Sequence, residues 1–477
     1  MTKTAHDELF ELTMLDQAED AVELMHYWKL GAQDLGLTEE DISFAVHNWM
    51  PRHLDLQYKG VRMCVGATLR ELIDIFRFKD RKRKGEDVKG IYGVLPAVLA
   101  PYQSIKYAGG DKVYTSFPDL LLMFTLQAWF HKGAPLMEKA EAAGFSYGAR
   151  HCALNKIGIA GRMTGLIPAP DVMWSWGLVC DEATKVDEFL QTMTDDKWIS
   201  VITRMPHDTY KGDEDYQLED RIKYLGSNLR DSMAECEKAL GIKVSEEDMR
   251  RAADDFGRFM GKIGQLTMLN AAADPVPLRN STLTIPFGLA SIPFNTGVGY
   301  MEEAIDILME EVKEAAAKGE GLTRKGAAKV GAYFNPWATP WLERILIEND
   351  CVFIFSMPTA VSKAQMVPLK STDPHEQFAE QWLQINFGMG CGCDIRNWVE
   401  KIEMLKPDAM ILGFLDYDRW LGQAQKRNAV EVEEITGVPC YYMEADFYDD
   451  RDYSEEALRT RLESLAQIIN MKKAERA

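Results

Sequence analysis

The sequence predicts an α/β protein with two doubly wound parallel-sheet domains, an N-terminal helical region and a helical segment between the two domains. Its 477 residues exceed what one compact core usually holds. Two parts of the chain alternate short apolar runs with helical stretches, a pattern that favours a parallel sheet covered by helices. We therefore expect a mostly helical region over 1–90, a first α/β domain over 91–215, a helical connecting region over 216–325 and a second α/β domain over 326–477.

Helical spacing dominates the N-terminal and connecting regions. In the N-terminal region, Leu69, Leu72, Ile73 and Phe76 recur at helical intervals. A longer apolar stripe in the connecting region comprises Leu218, Ile222, Leu225, Leu229, Met233 and Leu240. A further helix is predicted from about Tyr300 to Lys318, where Gly319 ends it.

The alternating parts contain the predicted strands. In the first part these are Asp171–Trp176 and Trp198–Thr203, with helices over 118–130 and 135–145. In the second part the predicted strands are Lys329–Phe334, Cys351–Ser356, Ala409–Leu415 and Cys440–Glu444. The helices of that part are Trp341–Glu348, Asp394–Leu405 and Ser454–Asn470.

Charge and hydropathy exclude several classes of partner. The chain has 54 Lys and Arg against 74 Asp and Glu, a formal charge of −20, which disfavours binding to nucleic acid or anionic membranes. Its N-terminus is polar and acidic, unlike a secretory signal. The longest apolar run, Leu120–Phe130, is shorter than the roughly 20 residues of a membrane span. A cytoplasmic protein is expected.

A basic stretch interrupts the acidic background. Residues 77–89 hold seven Lys and Arg side chains around one glycine. Such charge runs usually form a solvated surface, and we expect a loop here. The alternative is a docking patch for a phosphorylated ligand or an acidic partner.

Cysteine is the residue type that raises a question of chemistry. Eight cysteines in a cytoplasmic chain should stay reduced, and they form no Cys-x-x-Cys pair that would indicate a zinc site. Cys152 and Cys180 flank a glycine-spaced segment, a Pro-Ala-Pro-Asp turn and a predicted strand. They are either two buried core cysteines or two ligands of one metal centre. Cys180 follows the strand's carboxyl end, where open parallel sheets bind ligands.

Three loops of the second α/β domain occupy equivalent positions after predicted strands. They are Asn335-Pro336-Trp337, residues 416–422 and residues 445–452. Arg451 could hold a carbonyl or phosphate group, or could belong to a structural ion-pair network. Asn335 and Trp337 could contact a bound cofactor or could simply form a turn.

These residues resemble the 2-hydroxyacyl-CoA dehydratase and benzoyl-CoA reductase family. The first half matches through Cys152, the segment Gly158–Arg162, Pro168-Ala-Pro-Asp171 and Cys180-Asp181. The second half matches through GAYFNP at 331–336, KPDAMIL at 406–412, Gly437-Val-Pro439 and the closing residues 444–462. No such resemblance covers the N-terminal helical part.

The resemblance implies an oxygen-sensitive iron–sulfur enzyme. Family members are heteromeric, with a homologous second subunit and a separate ATP-dependent iron–sulfur activator protein, and they act on acyl-CoA substrates. Cys152 and Cys180 would ligate a [4Fe–4S] cluster, because soft thiolates suit iron. A low-potential electron would turn the thioester carbonyl of a 2-hydroxyacyl-CoA into a ketyl radical anion, which expels the 2-hydroxyl group. Asn335, Trp337 and Arg451 would contact the CoA ester.

The chain departs from the family pattern at the third cluster cysteine. Leu415-Asp416-Tyr417-Asp418 stands where the family usually has Ser-Cys. Asp416 or Asp418 could replace the thiolate, or Cys391 or Cys393 could reach the cluster. Two alternatives to a dehydratase stay open: a subunit of an aryl-CoA ring reductase, and a cluster-free scaffold subunit. No catalytic side chain follows from the sequence.

Overall fold

A computed structural model defines the fold. The structure describes residues 3–94, 99–145, 151–177, 182–194, 196–206, 214–289, 292–333, 340–357, 359–385, 391–413, 421–443, 448–451 and 453–476.

Five helices form the N-terminal region, and the last of them is the longest. They are α1 (Ala5–Leu12), α2 (Ala21–Asp34), α3 (Glu39–Phe44), α4 (Met50–His53) and α5 (Lys59–Arg83). Helices α1 and α3 begin with capping boxes, in which Thr4 and Thr38 exchange hydrogen bonds with Asp7 and Asp41.

The first α/β unit has four strands. Its elements are β1 (Lys89–Gly93), α6 (Ala100–Gly109), β2 (Val113–Ser116), α7 (Pro118–Leu122) with a π-helical continuation over Met123–Trp129, α8 (Ala134–Ala142), α9 (Ala153–Met163), β3 (Val172–Gly177), α10 (Ala183–Met193) and β4 (Ile199–Arg204). Four helices connect it to the second unit: α11 (Glu214–Leu240), α12 (Glu246–Ala272), α13 (Asn280–Leu289) and α14 (Gly299–Lys318).

The second α/β unit repeats this plan. Its elements are β5 (Ala328–Ala332), α15 (Pro340–Glu348), β6 (Cys351–Ser356), α16 (Pro374–Gln384), α17 (Cys391–Leu405), β7 (Ala409–Leu412), α18 (Leu421–Thr436), β8 (Cys440–Tyr442) and α19 (Glu455–Arg476). Short 3-10 or π turns occur at Leu15–Gln17, Ala45–Trp49, Gly110–Lys112 and Ala364–Met366.

Both sheets are parallel and share one strand order. The first runs β2-β1-β3-β4, and the second runs β6-β5-β7-β8. In each sheet the second strand pairs with one side of the first strand, and the third strand pairs with the other side. The topological switch point therefore lies between β1 and β3 in the first sheet and between β5 and β7 in the second. Ligands of such sheets bind at the carboxyl edge beside the switch. The predicted fold class is confirmed.

Large buried side chains mark the cores of the two units. Trp174 on β3 and Trp28 on α2 lie in a core that continues from the N-terminal helices through the first sheet and the connecting helices. Trp398 on α17 belongs to a second cluster, with Tyr333 and Met410, over the second sheet. No described helix is both long and apolar enough to cross a bilayer.

One local prediction was wrong, and two strands were not predicted. The basic stretch is not a loop at its start, because α5 continues to Arg83. Carboxylates pair with its cations, as Asp171 does with Lys82 (2.9 Å) and Lys89 (3.2 Å), which removes the argument for a docking patch. The two strands that were not predicted are β1 and β2.

Candidate functional site

Helix α9 carries the first of the predicted cluster cysteines at its N-terminal end. Every residue from Ala153 to Arg162 is buried, so the helix is enclosed rather than amphipathic. Gly158 and Gly161 make this possible, because a Cβ atom on Gly158 would lie 2.8 Å from the Cβ of Asp119. Cys152 is the half-buried residue that precedes the first turn.

A carboxylate at the start of α10 contacts this cysteine. The backbone N–H of Cys152 donates to Oε2 of Glu182 at 2.5 Å, and Glu182 lies directly before α10. The start of α9 is therefore held beside the start of α10. A helix N-terminus favours thiolate formation, whereas the neighbouring Glu182 carboxylate acts against it.

A buried lysine lies one turn further along α9. Lys156 is only 1% exposed, and its Nζ atom lies 2.9 Å from Oε1 of Glu141 on α8. Arg451, from the chain that follows β8, reaches the same carboxylate at 2.7 Å and also binds Asp449 at 2.6 Å. Glu141 thus joins a lysine of the first unit to an arginine of the second.

The shifted pKa values of Glu141 and Arg451 favour the charged form of each group. Burial acts against ionisation of Glu141, but hydrogen bonds from Arg451 and Lys156 outweigh it and lower the pKa of Glu141 below its usual value. Burial likewise acts against the charge of Arg451, yet Asp449 and Glu141 raise the pKa of that guanidinium. Glu141 and Arg451 therefore stabilise each other as an ion pair.

The residue before Arg451 makes a second contact with the first unit. Asp450 lies 2.7 Å from Nε2 of His131 and accepts a hydrogen bond from Gln127 at 2.8 Å. The His131 ring stacks on Trp49, with ring centroids 4.2 Å apart and an interplanar angle of 7°. Residues 448–451, which we call the docking loop, therefore fasten the second α/β unit to α8 and to the turn before it.

The carboxyl edge of the second sheet contains a further buried cation. Lys401 on α17 donates to the carbonyl oxygen of Met357, just past β6, at 2.6 Å. Burial lowers the pKa of Lys401 to about 7. Beside it, Gln425 on α18 accepts a hydrogen bond from the N–H of Gly413 (2.9 Å), the residue after β7.

Five predicted site residues lie outside the described residues. They are the predicted metal ligands Cys180, Asp416 and Asp418 and the predicted cofactor contacts Asn335 and Trp337. Cys391 and Cys393 fall in the first turn of α17, and their side chains are likewise outside the description. In the described ranges, no three His, Cys, Asp or Glu side chains form a group that could hold a metal ion. The predicted ligand set thus stays a prediction beyond the placement of Cys152.

The sequence analysis did not identify several side chains of this region as site residues. Glu141, Lys156 and His131 carry no motif that separates them from ordinary surface charges. Glu141 and Arg451 are 310 positions apart. Only the fold brings them together.

Of the four remaining cysteines, for which core packing is the expectation, three lie in the core. Cys64, Cys236 and Cys351 are all fully buried, at 1% exposure or less. Burial raises the pKa of Cys64 and of Cys351 to about 12, which keeps these thiols protonated and unreactive. Cys440 is half-buried at the start of β8.

The chain is an α/β protein with two doubly wound parallel sheets, which helices connect and the docking loop holds together. Within that class the family model described as 2-hydroxyglutaryl-CoA dehydratase, D-component, matches residues 117–469, or 353 of the 477 residues. The chain belongs to this family, as its motifs predicted. It is a subunit of the 2-hydroxyacyl-CoA dehydratase type. No curated protein matches the chain.

Proposed function

We propose that this chain is the cluster-bearing subunit of a heteromeric, oxygen-sensitive enzyme that dehydrates a 2-hydroxyacyl-CoA to a 2-enoyl-CoA. Cys152 and Cys180 ligate a [4Fe–4S] cluster, and Asp416, Asp418, Cys391 or Cys393 completes or adjoins its coordination. A homologous second subunit and an ATP-dependent iron–sulfur activator protein complete the system.

The contact between Cys152 and Glu182 carries this proposal beyond family membership. Glu182 follows Cys180 by two positions in the sequence, and its carboxylate binds the Cys152 N–H at 2.5 Å. Two residues span at most about 7 Å of chain, so the two sulfurs can share one centre. A half-buried thiol at a helix N-terminus is a suitable soft donor for iron.

The side chains around Cys152 have separate tasks. A bound cluster supplies the low-potential electron and a Lewis-acidic iron. Glu182 and the enclosed helix α9 fix the position of Cys152. All three guanidinium nitrogens of Arg451 donate hydrogen bonds: Nε to Asp449, and Nη1 and Nη2 to Glu141. These bonds hold the guanidinium in one orientation. Arg451, Asn335 and Trp337 contact the CoA ester.

The reaction is redox-neutral overall. One electron enters the thioester carbonyl to give a ketyl radical anion, and the C2–O bond breaks as hydroxide leaves. Loss of a proton from C3 and return of the electron then give the enoyl thioester and water. The electron is recovered, so ATP hydrolysis by the activator is needed only to inject it.

Replacement of Cys152 tests the proposal. The Cys152→Ser variant, prepared without oxygen beside wild type, should lose most of its iron and its visible absorption near 400 nm, a region where such clusters absorb, together with dehydratase activity. Cys440→Ser is the matched control, because Cys440 is also half-buried but lies in β8. Equal iron in wild type and Cys152→Ser would overturn the assignment.

A cluster-free scaffold subunit is the second candidate. The observation in its favour is that aspartates 416 and 418 stand where the family usually has its third cysteine. An iron-free wild-type protein made under strict anaerobiosis would favour this role. With iron present, a panel of hydroxyacyl and aryl thioesters decides between dehydration and ring reduction, and turnover of aromatic thioesters alone would refute dehydration.

A further inference from the structure

A large cleft lies between the N-terminal helical region and the start of α14. It has a volume of about 670 Å³ and three walls: residues 14–20, helix α5, and residues 294–303 at the start of α14. Two of these walls precede residue 117, where the family match begins. Cavities of this size accommodate small organic ligands.

The middle of the cleft is apolar. On α5 the lining residues Lys59, Met63, Ala67 and Glu71 follow each other at intervals of four, which places them on one stripe of the helix. Lys59 and Glu71 are twelve residues apart, so the stripe is about 18 Å long. Met63 and Ala67 form its centre, and Met301 of α14 lines the same space. Flexible methionine side chains around a small alanine leave room for a hydrocarbon chain.

A buried carboxyl group closes one end of this stripe. Glu71 is 2% exposed, and it accepts hydrogen bonds from Asn295 through the backbone N–H (3.2 Å) and Nδ2 (3.0 Å). Asn295 also donates to the carbonyl oxygen of Thr115 at 2.8 Å, which anchors it to β2. The carboxyl group of Glu71 is therefore held in a fixed orientation at the wall of the cleft.

The charges of the residues that line the cleft favour a positively charged ligand. Four acidic side chains face two basic ones, and Arg70 is already paired with Asp20 at 2.6 Å. Of the rest, Glu19, Glu71 and Glu303 outnumber Lys59. The formal charge of −20 adds to this bias against an anion. A cation with an apolar body complements the cleft.

We propose that the cleft binds a linear aliphatic ammonium ion, of the primary alkylamine class, with its methylene chain along Met63, Ala67 and Met301 and its ammonium group on Glu71. This site is separate from the proposed cluster, and its test is independent of dehydratase activity.

The ionisation of Glu71 gives the proposal a specific signature. Burial, and next the charge of Asp74, raise the pKa of Glu71 to about 8, while Asn295 and Lys106 of α6 act in the other direction. The other charged or titratable groups around Glu71 are Tyr114, whose pKa the charge of Glu71 raises, and the lining residues Glu19, Lys59 and Glu303, besides Arg70 and Asp20, which pair with each other. An ammonium ion favours the carboxylate, so its binding at pH 7 should release a proton from Glu71.

Calorimetry with hexylamine on the full-length protein tests the proposal. We expect saturable binding whose heat at pH 7 depends on the ionisation enthalpy of the buffer, as proton release requires. Hexanoate, which has the same chain length and the opposite charge, should not bind. Absence of saturable hexylamine binding, or equal binding of hexanoate, would overturn the proposal.

Two variants locate the ligand. Glu71→Gln should weaken hexylamine binding about tenfold or more and remove the buffer dependence, because a charged hydrogen bond is lost. Glu310→Gln, on an exposed part of α14 outside the cleft, is the matched control and should bind like wild type. If Glu71→Gln does not fold, Ala67→Met serves instead, because it fills the middle of the stripe. Unchanged affinity in the cleft variant would refute the site.

Discussion

At the scale of single residues, Lys401 shows how the fold alters the chemistry of a side chain. Its amino group is 1% exposed and its N–H donates to the carbonyl oxygen of Met357. Burial lowers its pKa from 10.5 to about 7, although Glu400 and Asp394 act in the opposite direction. The folded protein therefore binds this proton less tightly than the unfolded chain does.

This shift predicts how stability depends on pH. Between pH 7 and about 10.5 the unfolded chain holds a proton on Lys401 that the folded protein has lost. Lys401 should therefore add a rise in the free energy of unfolding with pH, of at most about 1.4 kcal/mol per pH unit. The Lys401→Met variant should lack this contribution.

Denaturant unfolding of both proteins at pH 7, 8 and 9 measures the effect. The difference between wild type and variant should change steadily across the series in favour of wild type. Lys313→Met, at a half-exposed position on α14, is the control and should show no such trend. Parallel pH profiles for wild type and Lys401→Met would contradict the predicted shift.

Single residues also show the limit of reasoning from sequence about the site. Cys152 could be chosen because a motif surrounds it, and its half-buried position at the start of α9 agrees with a ligating role. Glu141 and Lys156 could not be chosen, because their importance comes from their contact with each other and with Arg451. Such a contact depends on tertiary docking, which leaves no local pattern.

At the scale of elements, α9 depends on two glycines. Ala in place of Gly158 would put its Cβ 2.8 Å from the Cβ of Asp119, closer than carbon atoms approach each other. The helix would have to move away from α7, and Cys152 would move with it. We expect Gly158→Ala to cost about 1–3 kcal/mol of stability, as overpacked cores do.

A second glycine provides the comparison for this prediction. Gly261 lies inside α12 with no atom within 4 Å of the position its Cβ would occupy. Gly261→Ala should therefore stabilise the protein by about 0.5–1 kcal/mol, since alanine is the better helix former. Melting temperatures of both variants measure the contrast. A neutral Gly158→Ala variant would show that α9 is packed less closely than the structure indicates.

Elements with a long or strongly apolar sequence were the predictable ones. The prediction for β6, Cys351–Ser356, was correct to the residue, and α14 differed by one residue at its start. Strands β1 and β2 were missed, although β7 and β8, with four and three residues, are not longer. In β1 the apolar pattern is weak, because the strand begins with Lys-Gly and ends in glycine. The end of α5 was taken for a loop because its charges looked solvated. Carboxylates from other segments, such as Asp171 and Asp34, satisfy them instead.

At the scale of the whole molecule, the docking loop connects the two α/β units. Arg451 and Glu141 form a mostly buried pair, each 15% exposed, and Asp450 adds a contact to His131. Removal of one partner takes away a countercharge in a poorly solvated place, although Lys156 still contacts Glu141 and Asp449 still contacts Arg451. This contact should therefore contribute to stability more than an ordinary surface ion pair does.

A double-mutant cycle with Glu141→Gln and Arg451→Gln tests this expectation. The coupling free energy from denaturant unfolding should be about 1–3 kcal/mol, as for residues within one network. The half-exposed pair of Glu310 and Lys313 on α14 is the control and should give at most about 1 kcal/mol. Similar coupling energies for the two pairs would mean that the docking loop contributes no more than surface charge.

The position of the docking loop in the chain has a consequence for biosynthesis. Ribosomes make proteins from the N-terminus, and early segments fold while later ones are still being added. Lys156 and Glu141 leave the ribosome about three hundred residues before Arg451. Throughout that interval the nascent polypeptide lacks the docking loop that connects the two α/β units. The ion pair between Arg451 and Glu141 can therefore form only when translation is almost finished.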